Sequence, residues 1–391
     1  MPLRLAHTSD SHLDGDARVA GKVLLDAQGR NIRFLDRIRC FRAAAAGAIE
    51  RECHLFLHAG DLFDRNKPTP AEYCAAEDIL DLIAAKMPTV ICADNHSNVE
   101  SATERHGIEP LQGRHPNLFV SVRPELLTIP TTHGDVQVCT LPSPRRSIVS
   151  AKDEFRSLSP EGVNAVISEK LRAVLRGFRS RLNPLLPAIL VAHVQIQGAW
   201  LTDLQRATGT EAISLTAADL EGFDYVALGD FHGYQQVSER AWYSGSTDRC
   251  SFNEEKQRKG WICAEIAYNV AHEFIETPAR RYLTHTPSSL THLAKNGLPT
   301  YSLDSVAIVR VKGQVTQEQY EAMQPALARF REIPTFSEEL EVTRETTARA
   351  EAMTHDLSEE SALRVWHETN NRAEDMAVLL AEHRRLNGRL T

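Results

Sequence analysis

No apolar run in the 391-residue chain approaches the length of a membrane span, which argues against a helical membrane protein. The opening Met1-Pro2-Leu3-Arg4-Leu5-Ala6-His7 lacks a basic stretch followed by a long apolar one. No secretion signal is therefore read, and a cytoplasmic location is expected. Cysteine is sparse: Cys40, Cys53, Cys74, Cys92, Cys139, Cys250 and Cys263 are odd in number and never spaced CxxC. That pattern favours free thiols in a reducing compartment over a disulfide frame or a zinc knuckle. Positive charge is not in excess either. With 44 Lys and Arg against 52 Asp and Glu, the net charge of −8 argues against a protein that coats DNA through general basicity. The acidity is uneven: residues 331–391 carry 8 basic and 13 acidic residues, most of the total excess. Carboxylates that hold cations are counted in it too, so it is weak evidence against a nucleic-acid substrate. Internal repeats and low-complexity segments are also missing.

What is present is a dispersed set of metal-ligand residues. Asp10-Ser11-His12 comes first, then Gly60-Asp61-Leu62-Phe63-Asp64, then Asn95-His96, then His193, and finally Gly229-Asp230-Phe231-His232. Each group follows a short apolar run that reads as a strand: Leu3–Thr8, His54–Ala59, Thr89–Ala93, Ala188–Val194 and Tyr225–Leu228. Helical spacing separates them over Asn31–Glu52, Thr69–Lys86 and Glu161–Arg181, with Thr69 and Glu72 placed as a capping box. The alternation makes this part α/β. Further strands are expected at Asn117–Val122, Val136–Leu141, Trp242–Ser244, Trp261–Ala267 and His272–Glu276. A boundary near Thr277-Pro278 divides the chain into 1–279, 280–345 and a helical tail over 346–391.

A lone histidine is more often structural than ligating, and DxH occurs often by chance. Order, together with placement of every group after a strand, makes coincidence a poor account. Carboxylates, imidazoles and an amide converging from strand ends suit two divalent ions, which act well on phosphate esters. Mn²⁺, Fe²⁺ or Zn²⁺ fits an Asp-x-His pair better than Ca²⁺ does. Asp61 is the candidate bridging carboxylate.

The order D-x-H, G-D, N-H, H, and a closing G-x-x-H resembles the calcineurin-like metallophosphoesterases over roughly the first 280 residues. Within them, the chain is similar to the SbcD-type nucleases of DNA double-strand-break processing. His58-Ala59-Gly60-Asp61-Leu62-Phe63-Asp64 carries that narrower likeness. So does the stretch Tyr243-Ser244-Gly245-Ser246-Thr247-Asp248-Arg249 with Phe252-Asn253-Glu254 and Lys259-Gly260-Trp261. The resemblance implies a two-sheet α/β/β/α sandwich, a small α+β capping domain and a helical tail. It implies one metal on Asp10, His12, Asp61 and His232, and another on Asp61, Asn95, His193 and Asp230. His96 would protonate the leaving oxygen or stabilise the transition state. Mn²⁺ is the foremost metal, with Mg²⁺ the other option. The implied partners are DNA and an SbcC-like SMC-type coiled-coil ATPase, docked through the tail, with a homodimer through Thr69–Lys86 as one arrangement.

Three positions depart from the family pattern. Asp230 stands where histidine is usual; as a ligand it would make its site harder, and otherwise that metal would bind weakly. Asp94 replaces glycine before Asn95-His96 and would be strained if φ there were positive. Ser97 replaces an acid, leaving Asp64 to orient His96 or to act as a loop hydrogen-bonder. Arg145, Arg146 and Arg249 are the expected phosphate contacts, which would give salt-dependent, sequence-independent affinity. Three activities follow: a two-metal DNA exonuclease with endonuclease action as an extension, a phosphatase or small-molecule phosphodiesterase, and a non-catalytic DNA-end scaffold. The Gly-Ser…Arg segment and the C-terminal extension favour the first.

Overall fold

The computed structural model describes residues 2–94, 105–144, 155, 157–202, 205–206, 214–290, 300–302, 305–332 and 335–343, with four isolated positions beyond. Asn95, His96, Ser97, Arg145, Arg146 and nearly all of the 346–391 tail lie outside the described residues.

The principal elements run β1 (Leu3–Thr8), α1 (Ile32–Glu50), β2 (Leu55–His58), α2 (Pro70–Ala84), β3 (Thr89–Cys92) and β4 (Leu118–Ser121). Then follow β5 (Glu125–Thr131), β6 (Gly134–Leu141), α3 (Pro160–Arg179), β7 (Ala188–His193), β8 (Tyr225–Gly229), β9 (Gln235–Ser238) and β10 (Ala241–Tyr243). The chain continues with β11 (Gly260–Ile266), β12 (Val270–Glu276), β13 (Tyr282–His285), β14 (Ile308–Thr316), α4 (Gln317–Arg331) and β15 (Phe336–Thr343). No helix among the described residues is long and apolar enough to cross a membrane.

Two six-stranded sheets form the body, in the orders β12-β11-β1-β2-β3-β4 and β9-β10-β8-β7-β6-β5. In the first, β1 to β4 are parallel, and β11 and β12 close the edge antiparallel. In the second, β6, β7, β8 and β10 are parallel, with antiparallel edge strands β5 and β9. The central parallel strands are apolar on both faces because both faces are covered. Leu3, Leu5, Leu57 and Val90 of one sheet meet Val138, Ile189, Val191 and Tyr225 of the other in a core between the sheets.

Helices cover the outer faces. Cys40, Phe41, Ala44, Ala45 and Ala48 are buried along α1, a stripe at helical spacing. The small alanines let α1 lie close on the first sheet, where they pack with Phe56 and Trp261. Asn31 caps α1 by accepting from the amides of Arg33 and Phe34. Thr69 and Glu72 form the reciprocal capping box of α2, as their spacing predicts. On the other side Val163, Ile167, Leu171, Leu175 and Phe178 of α3 pack on the second sheet. The result is the α/β/β/α layering expected from the resemblance. Its parallel strands end along one edge, which is where ligands bind in open α/β sheets.

Beyond Glu276 a separate parallel sheet, β13-β14-β15, carries α4 on its own small core of Val309, Val311, Leu327, Phe330 and Phe336. Tyr282 and Ile308 join it to the body through Val19 and Leu24.

Candidate metal centre

Asp10 and His12 sit on the turn that leaves β1, Asp61 on the turn that leaves β2, His193 at the end of β7, and Asp230 and His232 just past β8. Single oxygens or nitrogens of Asp10, His12, Asp61 and His232 all lie within 4.8 Å of one another. Asp61 Oδ2 is 3.5 Å from His12 Nε2, and its Oδ1 is 3.6 Å from His193 Nε2. His193 Nε2 is also 3.6 Å from Asp230 Oδ1. Asp61 therefore stands between two groups of donors, with Asp10, His12 and His232 on one side and His193 and Asp230 on the other.

The backbone is bent to achieve this. Six non-glycine residues among those described have positive φ, and four of them are Asp10 (50°), His12 (44°), Asp61 (54°) and Asp230 (106°). Such conformations cost about 1–3 kcal/mol each and persist where the surroundings hold them. Here the turns are laced together. Asp10 N–H donates to Gly60 O and His12 N–H to Asp61 O, both at 2.9 Å. Asp230 N–H donates to Asp10 Oδ1 at 3.2 Å, joining the second sheet to the first. Asp94 is not among the positive-φ residues. The strain considered for it does not arise, although its buried carboxylate adds charge beside the centre.

Polar contacts at the other ring nitrogen fix which one of each histidine faces inward. His193 Nδ1 is 2.8 Å from Ala59 O. A carbonyl only accepts, so Nδ1 carries the proton and Nε2 keeps its lone pair. That Nε2 is buried and makes no hydrogen bond among the described residues. His12 Nδ1 lies 2.8 Å from Asp64 Oδ1, and His232 Nδ1 lies 2.8 Å from Glu254 Oε1. With both Nδ1 atoms turned to carboxylates, the two Nε2 atoms face each other at 3.0 Å. Two lone pairs at that distance require a positive charge between them, a proton or a metal ion.

The charges make the same demand. Burial, reinforced by the carboxylates of Asp94, Asp10 and Asp230, pushes the Asp61 carboxyl well above its usual range. Burial also opposes ionisation of Asp10, but His232, His193 and His12 hold its pKa below the usual value. Burial depresses His12 to about 4 despite Asp64. At His232 burial is outweighed by Cys250 and Glu254, and the pKa is raised well above the ordinary value. Asp10 Oδ2, 1 % exposed as a residue, has no hydrogen-bond partner among the described residues. A buried carboxylate oxygen, a buried imidazole lone pair and a facing imidazole pair form a donor set suited to divalent cations.

Asp64 is in contact with His12, which it orients; its expected role toward His96 lies outside the described residues. One sequence expectation changes. Arg249, assigned to DNA phosphates, is 5 % exposed and donates to Arg280 O at 3.2 Å and Gln257 O at 2.7 Å. It ties the 244–250 loop to the chain leading to β13 and offers no guanidinium face to a ligand. Beneath it lies a buried ionic cluster: Arg33 donates to Asp36 (2.5 Å) and Asp248 (2.6 Å), and Arg280 to Asp36 (2.6 Å). Sequence reasoning also missed Glu254 and Lys259 as supports of the centre. Lys259 Nζ is 2.8 Å from Glu254 Oε2 and 2.9 Å from His232 O, so the pair clamps His232 by side chain and backbone. Burial is outweighed by Lys259 and His232, which hold the Glu254 carboxyl below its usual range. The signal was in the Phe252-Asn253-Glu254…Lys259-Gly260 segment, read for its family likeness and not for its contacts.

This fold and this strand-end cluster define a phosphoesterase class. A model of the calcineurin-like phosphoesterase family matches residues 3–234, and the chain belongs to that family. Metal-dependent phosphoester hydrolysis is the chemistry of its members. The DNA double-strand break repair protein Mre11 of Methanosarcina mazei is 25% identical over 265 residues, covering 66% of this chain and 35% of that protein. The chain therefore spans about a third of that relative's length. Similar solved structures include TT1561 of Thermus thermophilus (11% identity, TM-score 0.39, 70% of this chain and 99% of that one). A dimetal phosphatase from Danio rerio is another (12%, TM-score 0.36, 71% and 97%).

Proposed function

We propose that the protein is a two-metal phosphodiesterase that degrades DNA from its ends. The observation that carries this reading is the convergence of Asp10, His12, Asp61, His193, Asp230 and His232 at one sheet edge. The likeness to a DNA double-strand break repair protein supports DNA as the substrate class. Asp10, His12, Asp61 and His232 would hold one ion, and Asp61, His193, Asp230 and Asn95 the other. Asp230 acts here as a ligand, since its carboxylate oxygen stands as close to His193 Nε2 as that of Asp61 does. Divalent ions bound there supply Lewis acidity at phosphorus and a water nucleophile available at neutral pH.

The protein's own groups do the rest. Asp64 and Glu254 hold the His12 and His232 rings with Nε2 inward. Ala59 O does the same for His193. Such outer contacts keep ligands in place and make them more basic. His96, directly after Asn95, delivers a proton to the leaving oxygen. Arg145 and Arg146 contact the DNA backbone. The oxygen-rich pole at Asp230 favours Mn²⁺ or Mg²⁺. The 280–345 segment caps the site, and the tail docks a coiled-coil ATPase.

The test is a gel assay of the purified protein with Mn²⁺ on end-labelled double-stranded DNA, beside His96→Ala and His193→Ala. Loss of intact DNA with wild type alone supports the reading. Hydrolysis of a small phosphodiester such as bis-p-nitrophenyl phosphate, with DNA untouched in the presence of the ATPase, would replace it with a small-molecule phosphodiesterase.

A further inference from the structure

Cys250 adds a donor to this centre that the family pattern quoted above does not contain. Its Sγ and one ring nitrogen each of His12 and His232 all lie within 4.8 Å of one another. The backbone at Cys250 is held by the same carboxylate that orients His232. Cys250 N–H donates to Glu254 Oε2 at 2.9 Å, and Glu254 Oε1 is on His232 Nδ1. Asp10 Oδ2, buried and without a hydrogen-bond partner among the described residues, belongs to the donor group that shares His12 and His232. Sulfur and two imidazoles thus face one another, while the oxygens of Asp10 and Asp61 meet the same two imidazoles in a second group. Among the described residues, the opposite pole of His193 and Asp230 offers nitrogen and oxygen donors.

We propose that Cys250 is a metal ligand, so that the two poles of the centre differ in softness. The inner pole, where Cys250 joins His12 and His232, takes a thiophilic divalent ion of the Zn²⁺, Co²⁺ or Cd²⁺ class, and the His193–Asp230 pole takes a harder one. This rests on the reading of the cluster as a metal centre. Thiolate ligands select soft ions, whereas carboxylate oxygens suit Mn²⁺ and Mg²⁺. As the sulfur–metal bond forms, the Cys250 S–H proton leaves to solvent, with no change of oxidation state.

Cobalt spectroscopy of the full-length protein, stripped of metal with a chelator, tests this directly. Cys74→Ser serves as the background, because Cys74 is exposed on α2 and the remaining cysteines other than Cys250 are buried. Adding Co²⁺ should produce visible ligand-field bands together with a thiolate-to-cobalt charge-transfer band in the near ultraviolet. Cys250→Ser should remove the charge-transfer band and keep the visible bands. Asp61→Asn should weaken both. Zn²⁺ affinity should fall about tenfold or more in Cys250→Ser, with Mn²⁺ affinity changed far less. A second readout needs no variant: alkylation of Cys250 by iodoacetamide, located by mass spectrometry, should be slowed by Co²⁺ and not by Mg²⁺. Visible bands without charge transfer in the parent protein would overturn the role of Cys250 and leave the metal centre standing. Absence of both would overturn the metal centre as well. A charge-transfer band that survives Cys250→Ser would assign the sulfur elsewhere and refute the proposal.

Discussion

Gly60→Ala is the sharpest test of how the two sheets are joined at the centre. Gly60 has φ +94°, and a Cβ there would stand 2.2 Å from His193 Nδ1 and 2.6 Å from its Cγ. The backbone conformation alone costs an alanine about 1–2 kcal/mol. Overpacking against a ring that cannot withdraw adds about 1–3 kcal/mol. His193 cannot withdraw cheaply, because its Nδ1–H is donated to Ala59 O and the ring is fully buried. Gly60→Ala should therefore lose about 2–5 kcal/mol, a large part of the stability of an ordinary domain. Gly113→Ala is the control: its φ is +74°, and a Cβ there would meet nothing within 4 Å. It should lose only the backbone share. Urea unfolding of both variants reads the difference, and stabilisation by added Mn²⁺ should fall in Gly60→Ala and persist in Gly113→Ala. Equal midpoint shifts in the two variants would refute the claimed contact between the Gly60 turn and His193.

Further outcomes follow from the same geometry. Mn²⁺ at about 100 times its dissociation constant should stabilise the native protein by about 2.7 kcal/mol, seen as a rise in Tm. Asp10→Asn should lose most of that rise, and an undiminished rise would remove Asp10 from the ligand set. Burial pushes His7 down to about 3 from an ordinary 6.5. Between those values the unfolded chain binds a proton that the native His7 does not, so stability falls as pH drops through this window. The slope for this group is about 1.4 kcal/mol per pH unit, and His7→Gln should flatten the stability–pH curve by one proton. Identical slopes would mean that His7 titrates normally. Arg33→Met leaves the buried Asp248 without the guanidinium that binds its Oδ2, and should cost about 3–5 kcal/mol in chemical denaturation. A loss well under about 1 kcal/mol would show that water reaches the cluster.

The strand-end grammar of the centre was legible because each ligand follows an apolar run buried on both faces. Leu3–Thr8 and Leu55–His58 are such runs in one sheet, Ala188–His193 and Tyr225–Gly229 in the other, and within each parallel set they end on the same edge. The capping box of α2 was legible for a similar reason: its contacts span three residues. Strands at the sheet margins were not. β5 carries Pro130 within Glu125–Thr131, and its mixed burial gives no clean alternation, yet an edge position tolerates the missing N–H. Likewise β13 and β15 sit at the edges of the small sheet, and their patterns are only partly buried. What fails most is partner choice across the chain. Asp64 meets His12 across the whole of α1 in sequence, while Glu254 meets His232 and Arg249 donates to Arg280 O. Each of these side chains has an acceptable local reading as a loop acid or a surface base. Which reading holds is decided by desolvation: once the 244–260 segment folds over the strand ends, every charge under it must be paired. The ligands were thus readable one strand at a time, but the residues that orient them were not. Their pairing exists only after the two sheets have met. That same closure brings the Cys250 thiol to a site where the sequence showed only scattered cysteines.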